Sequence, residues 1–318
     1  MACRVKRARF NFAQRFHPLL VAIALLTPAL PATATIVDLS SNTDGWTPIR
    51  YSNNNPDPSN DQQTGSSEGD IVGNALHPSA YTIFGDGGTP STTDGTLGFR
   101  VRLGADVNPA GFKTALFVGI DANHDGAIDL FLGVNNSGAA NTVGIWNPGA
   151  GLNVSPNTTS IVSTPLVSYV PVAGNYNWSQ VNTTIDPSVG TATDLDGGGQ
   201  PDFFLSFSIP LSDIIAQLAA VGITGFDENS TLSYVIATAT QANSLNQDLN
   251  GVDKNYDGAM TWSLLGVLSD PISVNGISVV PEVNPGLWIV LLLGAVAGQR
   301  WFSKRTTAKR QRVLAGGR

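Results

Sequence analysis

Short apolar runs broken by turn residues dominate the middle of this chain. "GFRVRL", "ALFVGI", "AIDLFLGV", "DFFLSFSI", "TLSYVIATAT" and "TWSLLGVL" each read as a β-type segment, with Gly, Asn, Ser and Thr between them. Many short strands separated by turn signals point to a sandwich or barrel. Phe99, Val101 and Leu103 alternate with Arg100 and Arg102, which predicts a half-buried strand. Ile128, Leu130, Leu132 and Val134 alternate in the same way. One helix is expected, because Leu211, Ile214, Ile215, Leu218 and Ala219 fall at helical spacing. Ser212 or Asp213 would cap or charge its first turn, Gly222 would end it, and it would cross over against a sheet end. The fold class expected is all-β: a jelly-roll-like β-sandwich with one short crossover helix.

The two ends differ from this middle. Residues 1–34 begin with Arg4, Lys6, Arg7, Arg9 and Arg15 and no acid, then run through "LLVAIALLTPAL" to Ala32-Thr33-Ala34. A basic start, a short apolar stretch and small residues before a cut describe a secretory signal peptide, removed by signal peptidase near Ala34. At the other end, "VVPEV" precedes "GLWIVLLLGAVAG", and Arg300, Lys304, Arg305, Lys309, Arg310, Arg312 and Arg318 follow. Trp301 and Phe302 extend the apolar stretch. An aromatic boundary with bases beyond it suits a membrane helix over 286–302 whose basic tail, 303–318, lies in the cytoplasm.

The order Pro-Glu, short apolar helix, basic end resembles the PEP-CTERM sorting signal of exported bacterial proteins. The resemblance covers roughly Pro281 to Arg312, with Pro281-Glu282-Val283 in place of the usual Pro-Glu-Pro. It implies that an exosortase-like membrane protease recognises and removes the tail. The helix would hold the chain in the inner membrane before that step. The protein would then reach the cell surface or exterior of a Gram-negative-type bacterium.

This divides the chain into a signal peptide, an exported β domain over 35–275, a linker over 276–285, the helix and the tail. Within the domain, Asn53 to Gly69 reads "NNNPDPSNDQQTGSSEG" and has almost no apolar residue, so a flexible surface loop is expected. The domain is strongly acidic. Of 17 Lys and Arg, only Arg50, Arg100, Arg102, Lys113 and Lys254 fall between residues 35 and 280, whereas Glu282 alone of 24 acids falls outside. A field of that sign repels nucleic acid and anionic lipid and draws cations. The sole cysteine, Cys3, lies in the leader, so no disulfide braces the domain and cysteine-type zinc sites are excluded.

One acidic phrase recurs. "DANHDGAIDLFLG" starts at Asp121 and "DLDGGGQPDFFLS" at Asp194. Calcium takes six to eight oxygens, and a short loop supplies them from positions 1, 3, 5, 7 and 9, with Gly at 6 for the turn. Asp121, Asn123, Asp125, the Ala127 carbonyl and Asp129 fill those places around Gly126. Leu132 stands where an EF-hand has its closing Glu. The second version offers Asp194, Asp196 and Asp202, with Gly198 at position 5. A third, "DKNYDGAMT", offers Asp253, Asn255, Asp257 and Thr261, with Asp248 and Asn250 just before it as further oxygens. These loops resemble the EF-like and dockerin-like calcium loops of exported bacterial proteins, which implies one to three calcium ions. Asp, Asn and Gly are also ordinary turn residues, so hairpin turns without an ion satisfy the same pattern.

Catalytic signatures are missing their context. Ser67 in "GSSEG" matches a nucleophile elbow in letters but follows a polar loop rather than a strand. Paired carboxylates of a glycosidase have no distinguishing spacing here. Tyr176 and Trp178 share one face of an extended segment, and Trp146 precedes a turn, so these three are candidates to stack on sugar rings; core packing is the alternative. Two readings follow. One is a non-catalytic, calcium-stabilised surface or extracellular-matrix protein. The other is a glycan-binding module, or a polysaccharide-processing enzyme, displayed on the same anchor.

Overall fold

The computed structural model describes residues 37–51, 56–64, 66–106, 111–139 and 141–276. The expected leader, the Pro281-Glu282-Val283 signal and the 286–302 helix lie outside them. Among the described residues twelve strands and two α-helices are formed, besides two short 3-10 turns: β1 (Thr47–Pro48), β2 (Ala80–Gly85), β3 (Thr96–Leu103), β4 (Ala115–Asp121), β5 (Leu130–Asn135), β6 (Thr142–Trp146), β7 (Val167–Tyr169), β8 (Tyr176–Gln180), β9 (Phe203–Pro210), α1 (Leu211–Ala220), β10 (Thr231–Ala239), β11 (Asp248–Leu249), α2 (Trp262–Leu265) and β12 (Ile272–Ser273). Among the described residues no helix is long and apolar enough to cross a membrane.

The strands form two antiparallel sheets. One has the order β1-β2-β3-β9-β8; the other runs β11-β10-β4-β5-β6-β7, with β12 also paired to β10. The architecture is all-β and sandwich-like. Period-two alternation decides which side chains meet between the sheets. Leu97, Phe99, Val101 and Leu103 of β3 and Leu205, Phe207 and Ile209 of β9 face Leu116, Val118 and Ile120 of β4, Leu130, Leu132 and Val134 of β5, and Leu232, Tyr234 and Ile236 of β10. Phe99 stacks on Phe207 at 5.3 Å and meets Tyr234 edge-on at 5.6 Å. α1 carries the chain from β9 in one sheet to β10 in the other, burying Leu211, Ile214 and Leu218. Gly222 ends it at φ 94°, and Asp213 in its first turn accepts the Tyr169 hydroxyl.

Two expectations need correction. Neither β3 nor β5 is half-buried: Arg100 and Arg102 are as inaccessible as Val101 between them, Phe131 and Gly133 of β5 are buried as well, and Ile128 precedes β5 and packs with the outer layer rather than with Leu130, Leu132 and Val134. The outer face of the β3 sheet lies under a second packing layer, where Leu39, Trp46, Val181 and Val189 cover Tyr81 and Phe204. Arg100 is tolerated there because the Ser206 hydroxyl and the Leu39 and Ser41 carbonyls accept its protons at 2.9 Å, and its guanidinium lies 4.2 Å from the Trp46 ring centre. The other outer face is covered too, by Ile161, Leu249, Trp262 and Val267 over Phe117, Phe131 and Trp146. The second correction is "TWSLLGVL", which is a single helical turn rather than a strand. Thr261 caps it by accepting the Leu264 amide, and Gly266 closes it in the left-handed region at φ 76°.

Candidate metal centre

The repeated phrase folds the same way twice. In the first copy the Gly126 amide donates to Asp121 Oδ2 at 2.9 Å, and the Ala122 amide to Asp129 Oδ2 at 2.8 Å. In the second, the Gly199 amide donates to Asp194 Oδ2 at 2.9 Å, and the Leu195 amide to Asp202 at 3.1 Å. The amides of Asp129 and Asp202 in turn bind the carbonyls of Ile120 and Thr193, both at 2.8 Å. Gly126 and Gly199 sit at φ 85° and 77°, where a side chain is strained. Each loop therefore closes on itself and then delivers its chain into β5 or β9.

The two copies differ in what balances their charge. Asp121 is buried, and its Oδ1 has no hydrogen-bond partner. Burial pushes Asp121 above the usual carboxylate range and Asp129 up to about 6; neighbouring carboxylates add to the Asp129 shift, while the Ala122 amide draws it down. An orphaned oxygen in an acidic loop fits a cation. Asp125 is exposed and spends its oxygens on the Ala127 amide and the Asn123 side chain. His124 is engaged at Nε2 by the Thr231 hydroxyl, 2.8 Å away.

In the second copy Asp194, Asp196 and Asp202 bring carboxylate oxygens within 4.8 Å of one another. The first copy does not gather three acids so closely. However, Arg102 donates from Nε to Asp202 Oδ2 at 2.6 Å, with both side chains inaccessible. Burial still raises Asp202 to about 6 against the pull of that guanidinium. The protein's own arginine thus supplies part of the positive charge that a calcium ion would bring.

The third copy is looser. Asp253 and Asp257 are exposed and accept the amides of Asn255 and Ala259, at 2.9 and 3.0 Å. Thr261, expected as a ligand, caps α2 instead. Asp248 and Asn250 are engaged elsewhere: Asp248 accepts the Ile71 amide at 2.6 Å, and Asn250 links Tyr51 and Ser79, each at 2.8 Å.

The three candidate sugar platforms are packed. Trp146 is 1% exposed and meets Phe117 edge-on at 5.2 Å. Tyr176 and Trp178 share a face of β8 as expected, but that face packs on the inter-sheet core. Trp178 lies between Phe203, stacked at 5.0 Å, and Phe112, tilted at 5.7 Å.

Sequence reasoning missed a second convergence of acids. Although 53–69 reads as exposed loop, its described residues include the buried Asp57, Asp61 and Glu68. Asp57, Asp61 and Asp248 bring carboxylate oxygens within 4.8 Å of one another, and all three residues are buried. If both were ionised, carboxylates at that separation would repel by about 3–4 kcal/mol per pair at an effective dielectric of about 20. Burial, then mutual repulsion, drives Asp57 and Asp248 well above the usual range; burial and the Asp70 and Asp253 charges bring Asp61 to about 7. The available signal was the spacing of acids in a polar segment, which is the ordinary pattern of a solvated loop. Only the tertiary fold carries Asp248 to them.

No family model matches this chain, and neither a curated protein nor a solved structure does.

Proposed function

We propose that this chain is an exported, non-catalytic β-sandwich of the bacterial envelope or extracellular matrix, with a jelly-roll-like path and calcium-braced loops. The observation that carries the proposal is the double closure, Gly126 to Asp121 and Gly199 to Asp194. Two acidic loops closed in the same way start two strands, one in each sheet, of a domain without cysteine. Asp121, Asn123, Asp125, the Ala127 carbonyl and Asp129 would hold one ion; Asp194 and Asp196, beside Asp202, would hold a weaker one. When bound, calcium supplies charge neutralisation and fixed coordination; the chain's own amides and Arg102 set the loop shape before it arrives. The role is mechanical: each loop fixes where a strand begins.

The sequence supports the rest of the reading. A leader and a PEP-CTERM-like end would take the domain through signal peptidase and an exosortase-like protease to the cell surface. Epitope tags at residue 36 and at the C-terminus test this in an exosortase-competent host. The account expects surface protein that keeps the first tag and lacks the second; mature protein retaining both rejects the sorting step. For the loops, Asp125→Ala should lower the melting temperature only in calcium, and an equal loss with EDTA would reduce the first loop to a turn. Glycan binding through the aromatic candidates is the weaker reading, because Trp146 is enclosed and Trp178 is packed between two phenylalanines.

A further inference from the structure

We infer that Asp57, Asp61 and Asp248 form a separate divalent-cation site of calcium type, lying where the 56–64 segment meets β11. The inference does not rest on the repeated loops binding an ion. Three features carry it: the convergence of oxygens, the unmet bonding capacity of Asp57 and Asp61, and the absence among the described residues of a base ion-paired to them.

The carboxylate oxygens lie within 4.8 Å of one another. Calcium holds its oxygens at 2.3–2.6 Å, so two ligands on opposite sides of an ion stand about 4.8 Å apart. The three acids are therefore already at ligand spacing. Each comes from a different anchor. Asp248 accepts the Ile71 amide at 2.6 Å, Asp57 accepts the Gly251 amide at 2.5 Å, and the Asp61 amide reaches Asp70 at 3.3 Å.

The oxygens of Asp57 and Asp61 are poorly met. Asp57 Oδ2 and both oxygens of Asp61 are buried and lack a well-formed hydrogen bond; only the Asp61 and Lys254 backbone amides approach the Asp61 carboxylate, and Asp57 and Asp61 are 4% and 3% exposed. Gln62 Oε1, in the same segment, is also buried and unpartnered. Keeping the carboxyls protonated would remove their charge but leave those lone pairs unmet, and a buried polar atom without a partner is costly. A cation answers both problems at once.

No base does so. Among the described residues the only ion pair is Arg102 with Asp202. Arg50 lines a small cavity beside Asp57, and the Lys254 backbone lies against Asp61 and Gln63, but both side chains are exposed and neither makes an ion pair there. Several carboxylates in a buried setting favour calcium over magnesium, which demands an octahedron and keeps its waters.

The test counts metal on the full chain. Protein stripped with EDTA is dialysed against calcium chloride, and bound calcium is measured by atomic emission. Two variants are compared: Asp57→Asn/Asp61→Asn, which keeps side-chain volume, and Asp125→Ala/Asp196→Ala in the repeated loops. The inference expects the first variant to lose one ion per chain and the second to retain that ion. Unchanged calcium in the first variant, or complete loss in the second, overturns it. Should the first variant fail to fold, crystals of the native chain soaked in terbium decide. An anomalous peak bounded by Asp57, Asp61 and Asp248 supports the site; no peak there overturns it.

Discussion

Asp248 accepts the amide of Ile71 at 2.6 Å, joining residues 177 apart in the chain. Asp248 belongs to β11, which pairs with β10 in one sheet; Ile71 bridges to Leu103 of β3 in the other. A single carboxylate therefore fastens the two sheets at one edge, beside Asp57 and Asp61. Among the described residues no base forms an ion pair with it, so the strength of that fastening depends on what neutralises the cluster.

The first consequence is an inverted pH dependence. Asp61 titrates near 7 and Asp70 near 6 in the folded chain, both raised chiefly by burial, against a usual value of 3.8. Between those values the folded state holds more protons than the unfolded one, so stability falls as pH rises. In EDTA the melting temperature should drop from pH 5 to pH 8. In calcium the drop should be much smaller, because the ion replaces the protons. A melting temperature that rises over this range in EDTA contradicts the assignment.

Arg102 and Asp202 make a second prediction. Both are inaccessible, so Arg102→Ala leaves a buried, uncompensated carboxylate and should cost about 3–5 kcal/mol. Arg102→Met with Asp202→Asn should cost clearly less, since no charge is stranded. Urea denaturation of the two variants reads the difference, and equal losses would mean that the pair is not energetically coupled.

Gly126 and Gly199 should behave alike. Each sits at positive φ and donates the amide that closes its loop on the first aspartate. Alanine at either position should cost roughly 1–2 kcal/mol from the left-handed backbone alone. Similar penalties would establish the copies as equivalent corners. A neutral result at one would show that its loop relaxes without the closure.

Trp178 tests the aromatic reading. Partly buried against Phe112 and Phe203, it should cost about 2–3 kcal/mol on truncation to alanine, less than an enclosed core aromatic. Glycan-array signals should be no different from those of the parent. A folded Trp178→Ala protein that loses a polysaccharide bound by the parent would move the function toward glycan recognition.

The all-β class was legible because alternation along β3 and β5 and the apolar run of β9 are local signals, and so was α1, whose apolar spacing and Gly222 mark both its face and its end. The corrections share one cause. Arg100 and Arg102 read as solvent-facing because alternation reports two faces, not what covers them; the covering layer comes from residues 37–46 and 181–202, remote in sequence. "TWSLLGVL" is apolar enough for a strand, yet Thr261 and Gly266 punctuate it as a helical turn. The repeated acidic phrase was legible as a shape, since turn chemistry is local. Its charge balance was not: Arg102 reaches Asp202 only in the folded sheet, and Asp248 meets Asp57 and Asp61 only when β11 docks under the 56–64 segment.

The central claim is that cations brace this sandwich at its acidic corners and seam. A thermal melt of the full chain, in EDTA, in millimolar calcium and in millimolar magnesium at pH 7.5, tests it most directly. Calcium at about one hundred times its dissociation constant stabilises by about 2.7 kcal/mol per site, roughly 5–10 °C for a domain of this size. The account predicts such a rise with calcium and little with magnesium. Identical melts in all three would show that the acids are held by protons and backbone amides alone.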